Sequence, residues 1–474
     1  MRDDDPGMGM ITLADVLAGT GGALYGPSAA AGAGGEVAFA RVGIDSRSVG
    51  PGDLFVAVRG EVQDGHRFVP DAVARGATGA LVAQGRAAEF ADSGALLIEV
   101  DDTLAALGRL GAHWRAKFSL PVVGITGSIG KSSTKELVSG VLGTKLRVLK
   151  SPKSYNNEYG LPLSVLMIDG TTDVAVLEMG TYGPGELAYL SGIARQTIAV
   201  VTNVGHTHLE RMGSQDGIAR AKGELVAALP ADGVAVLNGD DRRVRAMAGL
   251  TTARILHYGY GDDCDLRASD LEDHGLDGLS FTLHWAGESR RLDRAPLLGA
   301  HSVYTALAAA GTALAVGMRF DEVIEALLTP HAAVRLLVMP GPNGSTIIDD
   351  SYNAAPASVL AALDILARTP AERRLAVLGD MLELGDYEDE AHRMVGRRVA
   401  EVADALLTIG PRARIIAGEA ARSGVTADRI ATFDRKDEVV AALSSDLRAG
   451  DAVLIKGSRG LALEDVVAAL REAR

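Results

Sequence analysis

The sequence predicts an α/β protein of three domains, with a phosphate-loop domain on a parallel sheet at its centre. Three observations carry that expectation. Val122, Val123 and Ile125 make a short apolar strand that runs into Gly127 and Gly130 and then into Lys131-Ser132-Ser133-Thr134, the opening of a helix. The aliphatic runs Val174–Leu177, Ile198–Thr202 and Val234–Leu237 alternate with helical stretches, the pattern of a mainly parallel sheet covered on both faces. A chain of 474 residues also exceeds one ordinary core, and such a length favours roughly three domains.

Composition narrows the function classes. Lys and Arg number 47 against 61 Asp and Glu, a net charge of −14. A general nucleic-acid surface would need a basic face, so nucleic acid is excluded as a partner. An anionic small substrate is not excluded, because a local Arg/Lys pocket can sit on an acidic protein. Cys264 is the only cysteine, so no intramolecular disulfide is possible. No apolar run approaches the roughly 20 residues that span a bilayer. The start, MRDDDPGMGM, has no apolar signal core, so the expectation is a cytoplasmic enzyme with residues 1–9 disordered.

Taken in order, residues 10–112 read as a small α/β domain. ITLADVLAGTGG is a short helix closed by glycines, two strands flank a turn at Val49 to Asp53, and a helix ending at Gly76 precedes a strand from Gly79 to Val82. Asp45-Ser46-Arg47 sits at a strand end, where it would either hold a diphosphate or base edge or form a plain polar turn. Asp102 to Phe118 is an amphipathic helix leading into the next domain, residues 113–328.

That central domain holds the glycine loop. Gly124, Gly127 and Gly130 allow sharp turns and close ligand approach. Strand, loop and helix N-terminus together cradle an anion, through backbone N–H groups and the helix dipole. Thr126, Gly127, Ser128, Ile129, Gly130, Lys131, Ser132 and Ser133 are therefore candidate ATP-binding residues. Lys131 would lie on the β- and γ-phosphates and the Ser132 hydroxyl on Mg²⁺. The loop is a variant, with Ile125 where the strict pattern has glycine. Glu178, Asn203, His208 and Asn238 follow strands and would gather at the sheet's carboxyl edge, with Glu178 and His208 as candidate Mg²⁺ ligands. Gly213 to Ala228 is a helix capped by Ser214. Its Lys222 is either a surface charge or a buried functional amine.

Residues 329–474 read as a further doubly wound, Rossmann-like α/β unit. Strands are expected at Ser345–Asp349, Leu375–Leu378, Leu406–Ile409, Arg414–Ala417 and Ala452–Ile455. The last ends in Lys456-Gly457-Ser458-Arg459, which would suit an anion or form a solvated basic turn.

The ordered blocks IDSRSVGPGDLFVAVRGEVQDGH, GITGSIGKSSTKE, SYNNEYGLPLSVL, LEMGTYGPGELAYLSGIARQTIAVVTNVGHTHLE, GIARAKGEL, IDDSYNAAPASVLAALDIL, VLGDMLELG and VLIKGSRG resemble the Mur ligase family over essentially the whole chain. The resemblance is greatest to members that join D-alanyl-D-alanine to UDP-N-acetylmuramoyl-tripeptide. It implies an ATP-dependent ligase forming a C–N bond through an acyl phosphate, in cytoplasmic peptidoglycan precursor synthesis. It also implies a UDP-muramoyl-peptide and a dipeptide as substrates, ATP and Mg²⁺ as cofactors, and a monomer.

By the same resemblance, Asp45, Ser46 and Arg47 hold the UDP-sugar, and Asn156 and Asn157 belong to the tripeptide site. Ser132, Glu178 and His208 are metal ligands, and Lys131, Glu178, His208 and Lys222 are catalytic, Lys222 as a carbamate. Asn238 and His301 lie near adenine, and Arg335 and Asp349 reach ATP from the third domain. Asn353, Lys456, Ser458 and Arg459 lie near the incoming peptide. Ala355 stands where the family's common motif has Asn, and Val334 where it has Gly. The alternatives are a Mur-like ligase using another amine or carboxylate, and a nucleotide-binding regulator without chemistry.

Overall fold

The computed structural model describes residues 9–26, 37–60, 63–207, 209–330 and 336–472. The expected disordered start, apart from Gly9, lies outside them. Three large sheets follow one another along the chain, each built around buried aliphatic strands.

The first sheet is ordered Ala23–Leu24, Leu96–Val100, Gly79–Ala83, Leu54–Val56 and Val42–Gly43, parallel except at Ala23–Leu24. Thr12 caps the helix Leu13–Thr20, and Gly21 closes it at φ 70°. The helix Thr103–Arg115 leads out of this unit, so the expected boundary at 112/113 falls within a helix.

The central sheet runs Glu288–Ala295, Leu279–Trp285, Leu266–Asp273, Arg254–Gly259, Val234–Asn238, Ile198–Val201, Val122–Thr126, Val174–Glu178 and Val148–Lys150. All pairings are parallel as far as Leu266–Asp273, and an antiparallel hairpin completes the sheet. Strand residues alternate between two cores: Val123, Ile125, Val176, Val200 and Val236 face one, Val122, Leu177, Val201 and Leu237 the other. Both faces are covered, which is why these strands read as continuous apolar runs.

Register aligns the strand ends. Glu178 pairs with Ile125, and Val201 pairs with both Thr126 and Leu237. The helix after Val122–Thr126 packs one face through Leu137 and Val141, whereas the helix after Ile198–Val201 packs the other through Ile218 and Leu225. The two connections diverge, and a crevice opens between them at the carboxyl edge.

The third sheet runs Leu337–Pro340, Thr346–Asp349, Asp451–Lys456, Arg373–Gly379, Ala405–Ile409 and Ile430–Phe433, parallel except at its first strand. One expectation is corrected here. Arg414 to Ala417 is not a strand but part of the helix Ala413–Arg422. Ala413, Ile416, Ala417 and Ala420 are buried at helical spacing, and Asp380 Oδ1 accepts from Ala413 N at 2.7 Å, capping the first turn. The strand beside Ala405–Ile409 is Ile430–Phe433 instead.

Candidate active site

The helix Lys131–Gly143 begins at Gly130, its N-cap, where φ is 83°. At Gly127 φ is 150°, and an added Cβ would lie 1.9 Å from Thr202 Oγ1. Glycine is required there by conformation and by space. Thr202 and Asn203 staple the loop to the neighbouring strand end. Thr202 Oγ1 donates to Ile129 O at 2.7 Å, Asn203 Nδ2 donates to the same carbonyl at 3.0 Å, and Asn203 Oδ1 accepts from Ile129 N at 3.0 Å. Ser128 N donates to Asn203 O at 3.0 Å. Two glycine turns and these bonds hold the loop open at a helix N-terminus, the arrangement that receives phosphate.

Lys131 Nζ donates to Gly127 O at 2.8 Å and Ser128 O at 3.3 Å, so the cation lies folded over the loop. Thr126 Oγ1, at the loop's base, is buried with no hydrogen-bond partner among the described residues. Ser132 is buried in the first helical turn and its hydroxyl donates to Glu178 Oε2 at 2.6 Å. Asn156 Nδ2 donates to Glu178 Oε1 at 2.8 Å, and Glu178 N donates to Ser151 Oγ at 3.1 Å. Glu178 is thus buried and hydrogen-bonded on both oxygens, between the glycine loop and the loop of residues 151–157.

This donor set fits a hard divalent cation. Ser132 and Glu178 offer oxygens from adjoining elements. Among the described residues no three His, Cys, Asp or Glu side chains converge on one point. A magnesium ion here would fill its other positions with nucleotide phosphate and water, as that ion commonly does. His208 and Arg335, expected at the metal and the nucleotide, lie outside the described residues.

Lys222 is 2% exposed in the helix Gln215–Ala227. The surface alternative is therefore ruled out. Burial, and then the nearby charge of Lys131, push its pKa well below the ordinary lysine value. A buried lysine of that kind favours the neutral amine.

Asn238 Nδ2 donates to Thr202 O at 2.8 Å and its Oδ1 accepts from Asp240 N at 3.0 Å, so this side chain ties neighbouring strand ends together. His301 stands at the N-cap of Ser302–Val316. Desolvation lowers its pKa, and Asp350 and Lys456 of the third unit are among its charged neighbours. Asn157 Oδ1 accepts from Gly160 N at 3.0 Å and caps a turn. Asp349 Oδ1 accepts from Ser351 N at 3.0 Å.

A second cluster lies in the third unit. Lys456 is buried and its Nζ meets Asp350 Oδ2 at 2.5 Å and Asn353 O at 2.9 Å. Ser458 Oγ accepts from Leu382 N at 2.9 Å, and Arg459 N donates to Asn353 Oδ1 at 3.3 Å. The Arg459 guanidinium lies 4.8 Å over the Tyr352 ring, and the Tyr352 and Ser154 hydroxyls are hydrogen-bonded. That last contact joins the third unit to the loop beside Glu178. Asp45 and Arg47 lie apart in the first unit. They pair with each other at 2.8 Å on an exposed turn, with Ser46 buried between them.

Sequence reasoning missed Lys135 and Ser151, and gave Thr202 no part. The polar pair Thr202-Asn203, directly after an apolar strand, was an available signal. Lys135, in the run Lys131 to Glu136, looks like any solvated helix lysine.

Family models match the chain in three blocks. Residues 38–115 match "Mur ligase family, catalytic domain", 125–313 "Mur ligase middle domain", and 334–459 "Mur ligase, glutamate ligase domain". The chain is 36% identical to the UDP-N-acetylmuramoyl-tripeptide--D-alanyl-D-alanine ligase of Synechocystis over 428 residues, 90% of each chain. Its fold is similar to a crystal structure of MurF from Acinetobacter baumannii, with TM-score 0.86, 30% identity and coverage of 98% of this chain and 99% of that one. It is also similar to MurF ligase of Thermotoga maritima in complex with ADP, with TM-score 0.77, 28% identity and coverage of 91% and 97%.

Proposed function

The chain belongs to the Mur ligase family, and from that premise we propose its reaction: ATP-dependent joining of D-alanyl-D-alanine to UDP-N-acetylmuramoyl-tripeptide. It is a ligase of peptidoglycan precursor synthesis that forms an amide bond. The observation that carries the reading is Glu178, held between the Ser132 hydroxyl of the glycine loop and the Asn156 amide of the 151–157 loop. One carboxylate thereby joins a phosphate site to an acceptor site, as phosphoryl transfer to a carboxylate requires.

An oxygen of the tripeptide carboxylate attacks the γ-phosphorus of ATP, the bond to the bridging oxygen breaks, and ADP leaves. The dipeptide amine then attacks the acyl carbon, the carbon–oxygen bond to phosphate breaks, and phosphate and a proton depart. Positioning and charge neutralisation do most of the work in such transfers. Lys131 leaves the loop carbonyls for the phosphates. Ser132 and Glu178, with His208, would hold a magnesium ion that neutralises phosphate charge.

Lys222 is the residue suited to carbamylation, because its neutral amine can attack CO₂ and release a proton. Asn156 and Asn157 face the tripeptide. Asn238 and His301 lie on the adenine side, and Arg335 and Asp349 reach ATP from the third unit. Asn353, Lys456, Ser458 and Arg459 receive the dipeptide, and Asp45, Ser46 and Arg47 the UDP group. The proposed active form is a monomer. Among the described residues no helix is long and apolar enough to cross a membrane. The proposal puts the reaction in the cytoplasm, where ATP is available.

The test is phosphate release with ATP, UDP-muramoyl-tripeptide and a panel of dipeptides, with product mass determined. Turnover with D-alanyl-D-alanine supports the reading. Turnover only with another amine would favour a Mur-like ligase of different substrate, a possibility raised by Ala355.

A further inference from the structure

Lys135 lies one helical turn beyond Lys131 and is 1% exposed. Burying an ammonium is costly unless its donors are all engaged. Here two donors are engaged and a carboxylate stands beside the charge: Nζ donates to Ser151 O at 3.0 Å and to Lys153 O at 2.6 Å, and forms an ion pair with Glu136 Oε1 at 3.2 Å. Glu178 Oε2 is 3.8 Å away. Two of these contacts are to main-chain carbonyls of the 151–157 loop, and that loop is strained. Lys153 has φ 47°, a left-handed conformation rarely adopted outside glycine. Its own side chain is exposed. The bond from Lys135 is made to the carbonyl of this strained residue.

The consequences lie on either side of Lys153. Ser151 receives Glu178 N at 3.1 Å, Ser154 meets Tyr352 of the third unit, and Asn156 reaches Glu178 Oε1 at 2.8 Å. The backbone around Asn156 is fixed as well, since Asn156 N donates to Ser154 O at 2.8 Å and Gly180 N to Asn156 O at 2.7 Å. We propose that Lys135 is a positioning residue. Its ammonium fixes the 151–157 loop, so that the phosphate-loop helix, the tripeptide-facing asparagine and the bridge to the third unit share one geometry. Lys135 itself touches no substrate. The inference rests on the ligase reading above.

Steady-state kinetics for each substrate test it, using wild type, Lys135→Met, Lys153→Val and Lys153→Gly. Valine disfavours the left-handed conformation and glycine accepts it, and neither touches the buried cation. In Lys135→Met and Lys153→Val, kcat/KM for the UDP-linked tripeptide should fall by about 100-fold, the usual effect of misplacement by an ångström. KM for ATP should stay within about threefold, since uniform nucleotide binding is untouched. Lys153→Gly should behave as wild type. If Lys135→Met does not fold, the two exposed Lys153 variants decide. A rise in KM for ATP as large as the loss in kcat/KM for the tripeptide, or a folded Lys153→Val with wild-type kinetics, would overturn the inference alone. A wild-type protein that makes no amide bond with any acceptor would overturn the ligase reading and the inference with it.

Discussion

Replacing Glu178 by Gln separates charge from shape at the centre of the site. The carboxylate accepts from Ser132 Oγ at 2.6 Å and Asn156 Nδ2 at 2.8 Å. A glutamine can satisfy the same two partners. Its carbonyl accepts from Asn156, and its amide donates to Ser132, whose hydroxyl rotates to accept. Two charge-assisted bonds become neutral ones, at a cost of about 1 kcal/mol each. Lys135 loses a carboxylate at 3.8 Å but keeps Glu136 at 3.2 Å. The fold should therefore lose about 2 kcal/mol, or roughly 4–8 °C in Tm for a domain of this size. Catalysis should lose more. Glu178 would hold the cation that neutralises phosphate charge, and losing one preorganised electrostatic group of that kind typically costs about 10²–10³ in kcat. The assay is phosphate release at saturating substrates, with thermal unfolding alongside. A folded variant whose kcat stays within about threefold of wild type would refute the assignment of Glu178 to the reaction.

Other consequences are separately measurable. Lys222→Ala should lose most activity, and a short carboxylic acid such as acetate should restore part of it by supplying an anion in the vacated space; full activity without rescue would return Lys222 to a packing role. Burial alone would raise the Asp15 pKa, but hydrogen bonds from Lys117, Thr12 and His113 hold it at about 2 against the ordinary 3.8. The folded value is depressed, so Asp15 stabilises by about 2 kcal/mol above pH ~4 and loses that contribution as pH falls towards 2. Urea unfolding of Asp15→Asn should show the deficit at neutral pH and its disappearance in acid; a deficit independent of pH would contradict this. Ala355 is the N-cap of the helix Pro356–Arg368, in extended conformation and without a side-chain cap. Ala355→Asn should add about 1 kcal/mol of stability, read as a rise in Tm, and should change KM for the dipeptide more than KM for ATP.

The parallel cores were legible in the sequence because burial on both faces leaves nothing but aliphatic residues. VVGIT, VAVLE and IAVV could hardly be anything else, and the glycine loop followed from its lysine and serine. Arg414 to Ala417 failed because four apolar-flanked residues carry no period. Only the wider spacing of Ala413, Ile416, Ala417 and Ala420 marks the helix, and the cap that starts it comes from Asp380, far away in sequence. The hairpin through Leu279–Trp285 and Glu288–Ala295 was missed because Arg290, Arg291 and Asp293 interrupt it with charge.

In the candidate site, residues placed by their own motif were readable, and those that sit against another loop were not. Glu178 announces itself at a strand end. Lys135 becomes a buried cation only once the 151–157 loop closes over it, and no local spacing encodes that closure. Lys222 shows the intermediate case: small neighbours allowed burial, but only the packed helix decided it.

The central claim is that a substrate carboxylate is activated by phosphoryl transfer before the amine attacks. It is tested most directly by labelling that carboxylate of the UDP-muramoyl-tripeptide with ¹⁸O and running the ligation with ATP and D-alanyl-D-alanine. The oxygen that attacks the γ-phosphorus stays with it when the acyl carbon is taken by the amine, so inorganic phosphate should carry one labelled oxygen for each amide bond formed. Amide formation with unlabelled phosphate would contradict the acyl phosphate, and with it the roles given to Lys131, Ser132 and Glu178.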